Sequence, residues 1–332
     1  MEIKEKYNLS KNNSFGFNYV CDYFCNANNE EEILEFIKFS SNKNKELIIL
    51  GEGTNIVLKN DINKSVLVVN NKGKRIEKNN TIVSAGENWH EFVLWSLSKN
   101  LYGLENLSLI PGSVGAAPIQ NIGAYGVDVS NFIESVMVLD LKTKEKSLLN
   151  KDELDFSYRS SIFKKLKNLL VLEVHFKLNT NLRTNTSYDK LKEYLIKDDI
   201  NPEIATPNQV CRSVIEIRKS ILPDYISKPN VGSFFHNSLI DQVKLDQLIK
   251  EFPKLPHFKE GKLFKIPTAY LIESAGWKGK KIGETRVSKK HSLVLISAEN
   301  HSDNLFKLAN QIKEDIKTKY DINLTFEPTI IS

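Results

Sequence analysis

Between Pro111 and Gly126 the chain carries four glycines, two prolines and three alanines within 16 residues, and no apolar period that a helix or strand would need. A loop of this length inside a folded domain is usually functional. Its small apolar residues argue against disorder. Backbone of this kind can wrap closely around a flat ligand, with Gln120 and Asn121 supplying the few directed hydrogen bonds such a site needs. The competing reading is an irregular connection between domains; the length and density of the stretch favour function.

Ordinary elements flank it. Glu30–Phe39 has Ile33, Leu34 and Ile37 on one helical face. Leu47–Leu50 is wholly apolar and stops at Gly51, the pattern of a buried strand entering a glycine turn. Ser65–Val69, Thr81–Ser84, Ser135–Leu139 and Leu169–Phe176 read as strands, and Asn88–Lys99 as a helix carrying Trp89, Phe92, Val93 and Leu97. Thr206–Ser220 has explicit helix-start signals: Thr206 as N-cap, Pro207 at the first helical position and Gln209 completing a capping box. Leu222-Pro223-Asp224 ends that helix, and a domain boundary is expected nearby. Further helices are expected at Gln242–Glu251, Pro267–Ser274 and Asp303–Lys319, with strands at His291–Ile296 and Asn323–Phe326. Helices and strands are mixed, and no internal repeat is present.

Composition removes several function classes. The 332 residues, 41% hydrophobic and 26% charged, suit two or three globular domains. A formal charge of +5 and a pI near 8.8 would suit nucleic acid or an anionic ligand. Lys and Asn are scattered, however, and no basic helix face is interleaved with aromatics, so no nucleic-acid partner is expected. Cys21, Cys25 and Cys211 are odd in number and include no Cys-x-x-Cys. A disulfide framework or zinc site is therefore not expected, and reduced thiols in a cytoplasm fit best. Met1–Asn13 is polar, unlike a signal peptide. Runs such as Leu293–Ile296 are too short to span a bilayer, and no membrane role is expected.

Two further features stand out from the residues alone. Gly51-Glu52-Gly53-Thr54-Asn55 follows the buried strand, where glycines let backbone N–H groups approach a phosphate. Ile56 stands where a dinucleotide fingerprint needs its third glycine, so a phosphate loop and a plain turn both remain open. Arg218 falls seven residues after Cys211 and four after Val214, on the apolar side of its helix. It either reaches an anion or snorkels at the helix C-terminus.

Taken in order, Gly51-Glu52-Gly53-Thr54-Asn55, Gly86-Glu87-Asn88-Trp89 and the Pro111–Gly126 stretch resemble the flavin-binding motifs of the UDP-N-acetylenolpyruvoylglucosamine reductase (MurB) family. The resemblance continues through Tyr158-Arg159-Ser160-Ser161-Ile162-Phe163, Gly232-Ser233-Phe234-Phe235 and Leu271–Gly279, nearly the full length. It implies an α+β flavoprotein. A two-part FAD-binding region of the vanillyl-alcohol-oxidase/PCMH type would occupy 1–70 and 71–220. A C-terminal α+β substrate-binding domain would occupy 221–322, and 323–332 would form a strand returning to the active site.

The implied reaction is NADPH-dependent reduction of UDP-N-acetylglucosamine-enolpyruvate to UDP-N-acetylmuramate through bound FAD, in a cytoplasmic enzyme expected to be a monomer. The resemblance assigns Gly51, Gly53, Thr54, Asn55, Pro111, Gly112, Gly115, Ala116, Ala117, Ile119, Gln120, Gly123 and Arg218 to the cofactor. It assigns Arg159 to charge stabilisation, Ser233 to proton donation and Glu327 to the C-terminal catalytic position. A second register puts Thr329 at that last position. Tyr158, Tyr188, Asn237 and His291 would bind substrate, Tyr188 on a loop that covers it. Two departures concern nucleotide binding: Ile221 and His236 stand where lysines are frequent. Lys219 or Lys228 could make up the charge lost at Ile221. Alternatives are a same-fold flavoenzyme with another substrate, since fold does not fix function, and a catalytically degenerate nucleotide-binding homologue.

Overall fold

The computed structural model describes residues 1–332, and its chain divides into two compact units. The first comprises Met1–Tyr7, Cys21–Gly53 and Asn63–Ser220. It holds a four-stranded sheet in the order Lys4–Asn8, Val20–Ala27, Ile62–Val69, Leu47–Leu50. Leu47–Leu50 runs parallel to Ile62–Val69, with Leu47 opposite Ser65. A parallel neighbour needs a crossover, so the segment after Leu50 must travel before the chain returns. A five-stranded antiparallel sheet follows in the order Lys146–Asn150, Ile133–Asp140, Leu169–Phe176, Asn80–Ser84, Lys74–Glu77.

One core joins the two sheets. The helix Glu30–Asn42, capped by Asn29, contributes Ile33, Phe36 and Ile37. The helix Trp89–Ser98 contributes Trp89, Phe92 and Val93, and Phe92 meets Phe176 with ring centroids 4.9 Å apart. Burying each large side chain is worth about 1.5–3 kcal/mol, so these helices hold the loops at their ends in fixed positions. The Pro111–Gly126 stretch is the expected irregular segment. It contains only a short 3-10 turn at Val114–Ala116 and a hairpin between Gly123–Ala124 and Val127–Asp128.

The second unit comprises Asn8–Val20, Thr54–Ile62 and Ile221–Ser332. It has two small antiparallel sheets, ordered Ser238–Ile240, Leu263–Ile266, Phe258–Glu260 and Lys281–Ile282, Thr285–Val287, Leu295–Ser297. Its helices are Gln242–Glu251, Thr268–Ser274 and Asp303–Tyr320. A parallel pair of strands, Ile56–Leu58 and Thr329–Ile331, joins distant parts of the sequence.

The expected strand at Asn323–Phe326 is not formed. Phe326 makes an isolated bridge to Phe235, and the regular strand begins only at Thr329. Pro328 has no N–H to give a ladder, so ordered pairing starts after it. The expected strand at His291–Ile296 shrinks to Leu295–Ser297. Ser288 Oγ accepts from the backbone of Lys290 and His291, and Val294 N–H bonds His291 O, which makes His291–Val294 a turn. The chain is α+β, and no helix is long and apolar enough to cross a membrane.

Candidate active site

Three loops of the first unit pack into one layer. At Gly51, where its strand ends, an added Cβ would collide with the Ser113 hydroxyl. At Gly115 it would lie 2.5 Å from Ala85 Cβ. Only hydrogen fits at either place, and that lets the backbones close on one another. Gly115 N–H donates to Ala85 O at 2.8 Å and Val114 N–H to Glu87 O at 2.8 Å. Asn88 bridges outward: its Nδ2 donates to Glu52 at 2.8 Å while its Oδ1 caps the helix by accepting from Glu91 N–H at 3.0 Å. Glu87 is nearly buried. Burial alone would raise its pKa, but Lys74 at 2.5 Å and the Gly73 N–H hold it below the ordinary carboxylate value. Pro111 and Ala116 remain exposed on this layer, while Gly112, Gly115 and Ala117 lie beneath.

The far half of the loop is clamped by the Tyr158 segment. Asn121 adopts φ +44°, accepts from Ser130 N–H at 3.1 Å and donates to Ser157 O at 3.0 Å. Ser161 Oγ donates to Ile119 O at 2.8 Å. Arg159, also left-handed at φ +50°, donates to Asn121 O at 3.1 Å and to Gly123 O at 2.5 Å, and pairs with Asp128 at 3.0 Å. Its guanidinium carbon lies 5.1 Å from the centre of the Tyr158 ring. The guanidinium is thus oriented by the loop and by one carboxylate. Asp128 was not singled out from sequence; it follows the glycine-rich stretch by two residues and carries no pattern of its own.

Arg218 sits on the helix Pro207–Ile221 with its Nε buried and without a hydrogen-bond partner. Burial pushes its pKa down, and the Tyr125 hydroxyl pulls it partly back. A guanidinium N–H enclosed without a partner is costly. Together with a layer of close-packed loops, it fits a flat cofactor bearing negative charge, as FAD does. Tyr188 is exposed, and its ring lies 5.4 Å from that of Tyr125. Asn106 Nδ2 ties the two segments, donating to Tyr125 O and Asn185 O, and Asn185 donates to Gly126 O at 3.1 Å.

In the second unit the Gly232–Asn237 segment lies against the chain end. Phe234 N–H bonds Leu293 O, His236 N–H bonds Thr325 O, and Glu327 N–H bonds Phe234 O. These bonds bring Ser233, His236, Glu327 and the His291 turn into one neighbourhood. His236 Nδ1 is 3.9 Å from Glu327 Oε2. Asn237 Oδ1 accepts from Thr268 N–H at 3.1 Å, and His291 Nδ1 accepts from Leu293 N–H at 3.3 Å. Thr54 and Asn55 also belong to this unit, and Asn55 O accepts from Thr329 N–H at 3.0 Å. Of the two residues that the C-terminal register allowed, Glu327 adjoins His236 while Thr329 opens the parallel strand.

Comparison with known proteins agrees with both halves. The family model for the UDP-N-acetylenolpyruvoylglucosamine reductase C-terminal domain matches residues 224–331, and that for an FAD binding domain matches residues 21–145. UDP-N-acetylenolpyruvoylglucosamine reductase from Flavobacterium johnsoniae is 35% identical over 341 residues, covering 100% of each chain. The enzyme of that name from Pseudoalteromonas translucida is 38% identical, covering 98% of this chain and 96% of its own. The crystal structure of UDP-N-acetylenolpyruvylglucosamine reductase from Thermus caldophilus matches with a TM-score of 0.70 at 18% identity, over 100% of this chain and 98% of that one, and so shares the fold. An FAD binding domain, a matching C-terminal domain and full-length identity above a third make this chain a member of the UDP-N-acetylenolpyruvoylglucosamine reductase family.

Proposed function

We propose that the chain reduces UDP-N-acetylglucosamine-enolpyruvate to UDP-N-acetylmuramate at the expense of NADPH, for peptidoglycan precursor synthesis in the cytoplasm, acting as a monomer. The observation that most supports this reading is the meeting of Ser233 and Glu327 through the Phe234–Glu327 backbone bond, beside a turn carrying His291. Bound FAD would supply the hydride-transfer chemistry between NADPH and the enolpyruvyl double bond. Gly51, Gly53, Thr54, Asn55 and the Pro111–Gly123 loop bind it in this reading, with residues 1–70 and 71–220 as its two subdomains apart from Asn8–Val20 and Thr54–Ile62, which belong to the second unit. Arg218 supplies the countercharge. Ile119 and Gln120 contribute to the loop's inner face.

The substrate's own carboxylate lies beside the carbon that becomes enolate-like, so negative charge gathers there and needs an oriented cation. Arg159 serves that need: a guanidinium offers two parallel donors to a carboxylate. Ser233 then delivers the proton to carbon. A serine hydroxyl is a weak acid, and only an acceptor as basic as an enolate can take its proton. Glu327, held beside His236, takes the C-terminal catalytic position. Tyr158, Tyr188, Asn237 and His291 bind the remainder of the substrate, with residues 221–322 as the substrate-binding domain and 323–332 delivering Glu327.

Anaerobic NADPH consumption by the FAD-loaded protein tests this reading. Sustained turnover is expected only when UDP-N-acetylglucosamine-enolpyruvate is present. A flavin-bound protein that NADPH reduces but that substrate does not reoxidise would move the assignment to another substrate of the same fold.

A further inference from the structure

Two consecutive residues at the start of the helix Trp89–Ser98 grip the segment that leads into the glycine-rich loop. Trp89 Nε1 donates to Leu107 O at 2.9 Å, and Trp89 N–H donates to Gly112 O at 2.9 Å. Between those contacts, Leu109 N–H donates to His90 Nδ1 at 3.0 Å. Leu109 is a branched residue held at φ +58°, a conformation that costs about 1 kcal/mol or more and persists only where its surroundings impose it. Ile110 and Pro111 follow at once. The imidazole bond is thus the one side-chain contact to the backbone at the strained point where the loop begins.

We infer that His90 is a positioning residue for the flavin loop: its neutral ring, as acceptor for Leu109 N–H, sets the entry of Pro111–Gly126 into the cofactor layer. The inference rests on the reading of that loop as FAD-binding. An imidazole that accepts at Nδ1 carries its proton on Nε2. Protonation turns Nδ1 into a donor facing another donor, and the contact is lost. Its surroundings favour the neutral ring. Burial pushes the pKa below the ordinary 6.5, Arg218 of the facing helix pushes the same way, Glu91 on His90's own helix pulls it back, and Lys219 pushes it down again. The folded-state pKa is depressed, so the contact is fully present above pH 6.5 and is lost as pH falls through the depressed value. Protonation would also set a second positive charge near the buried Arg218.

The test is FAD affinity of the full chain, read by flavin fluorescence at roughly pH 5 to 8, for the natural protein and for His90→Ala and His90→Asn. Asn presents Oδ1 close to where Nδ1 stands and does not titrate. His90→Ala is expected to weaken FAD binding roughly tenfold at pH 8, the scale of one lost hydrogen bond. His90→Asn should restore affinity to within about threefold and remove the acid-side weakening expected of the natural protein. Equal loss of FAD in both variants, or an Asn variant with the natural pH profile, would overturn the proposal. If the Ala variant does not fold, the pH profile of the Asn variant decides alone. A natural chain that binds no FAD would instead refute the flavin reading on which the inference stands.

Discussion

Charge placement decides the chemistry residue by residue. Arg159 and Arg218 are both partly withdrawn from solvent but are handled differently. Arg159 is oriented by two loop carbonyls and Asp128, whereas the Nε of Arg218 is enclosed without a partner. The first arrangement fixes the direction of a guanidinium; the second leaves a cation in need of an anion. Ser233 gives the sharpest prediction. In Ser233→Ala, reduction of the flavin by NADPH should proceed at its normal rate, while reoxidation by substrate slows by roughly 10²–10⁴, the usual weight of a positioned proton donor. Stopped-flow absorbance separates the two half-reactions, and equal losses in both would remove Ser233 from that role. Glu105 offers a test of linkage. It is 1% exposed, and burial raises its pKa above the ordinary 4.5 although the Gly103 N–H at 2.7 Å opposes the shift. A raised folded pKa means that this group's stabilising contribution is complete below pH 4.5 and is lost as pH rises through the folded value. Glu105→Gln keeps an acceptor for Gly103 and cannot ionise. Its melting temperature relative to the natural protein should therefore climb from pH 4 to pH 8.

Elements with strong local signals were legible from sequence, and those resting on tertiary contact were not. The helix Pro207–Ile221 starts where Thr206, Pro207 and Gln209 said it would. Gln209 Oε1 accepts from Thr206 N–H at 2.8 Å, and Thr206 Oγ1 accepts from Gln209 N–H at 3.3 Å. Thr206→Ala should destabilise the protein by about 1 kcal/mol, the typical worth of an N-cap, measurable by urea titration. Because this helix carries Arg218, weaker FAD binding should accompany the loss. The helix Asp189–Lys197 escaped notice because it buries only Leu191 and Leu195 in an otherwise polar run. The strand Val20–Ala27 escaped because buried Cys21, Asp22, Phe24 and Cys25 break any alternation of apolar and polar residues. Asp22 is held there by Lys45 at 2.5 Å and Lys6 at 2.6 Å, which lower its pKa. The glycine-rich loop was legible as a loop, but its clamps were not. Asn121, Asp128 and His90 lie 36, 31 and 19 residues from Ser157, Arg159 and Leu109, with which they bond, and no local pattern encodes such pairings.

Across the whole molecule, the second unit is assembled from three separated stretches of sequence, and the parallel strands Ile56–Leu58 and Thr329–Ile331 join two of them. Ile56 pairs with Thr329 and Leu58 with Ile331, and parallel neighbours can be joined only through a long intervening crossover. Contacts of such long range make folding slow. A chain ending at Phe326 should leave the Ile56–Leu58 edge unpaired. Its second unit should open to protease at lower urea than the first, and pulse proteolysis in graded urea would register that order; simultaneous cleavage of both units would contradict it. For the protein as it is made, the pairing imposes a schedule. A ribosome has released Ile56–Leu58 long before it reaches Thr329, so an early stretch of apolar backbone must wait through most of translation for its neighbour. Chaperone occupancy on the nascent chain should therefore persist at this stretch until Thr329–Ile331 has emerged from the ribosome, however soon the first unit's helices have formed.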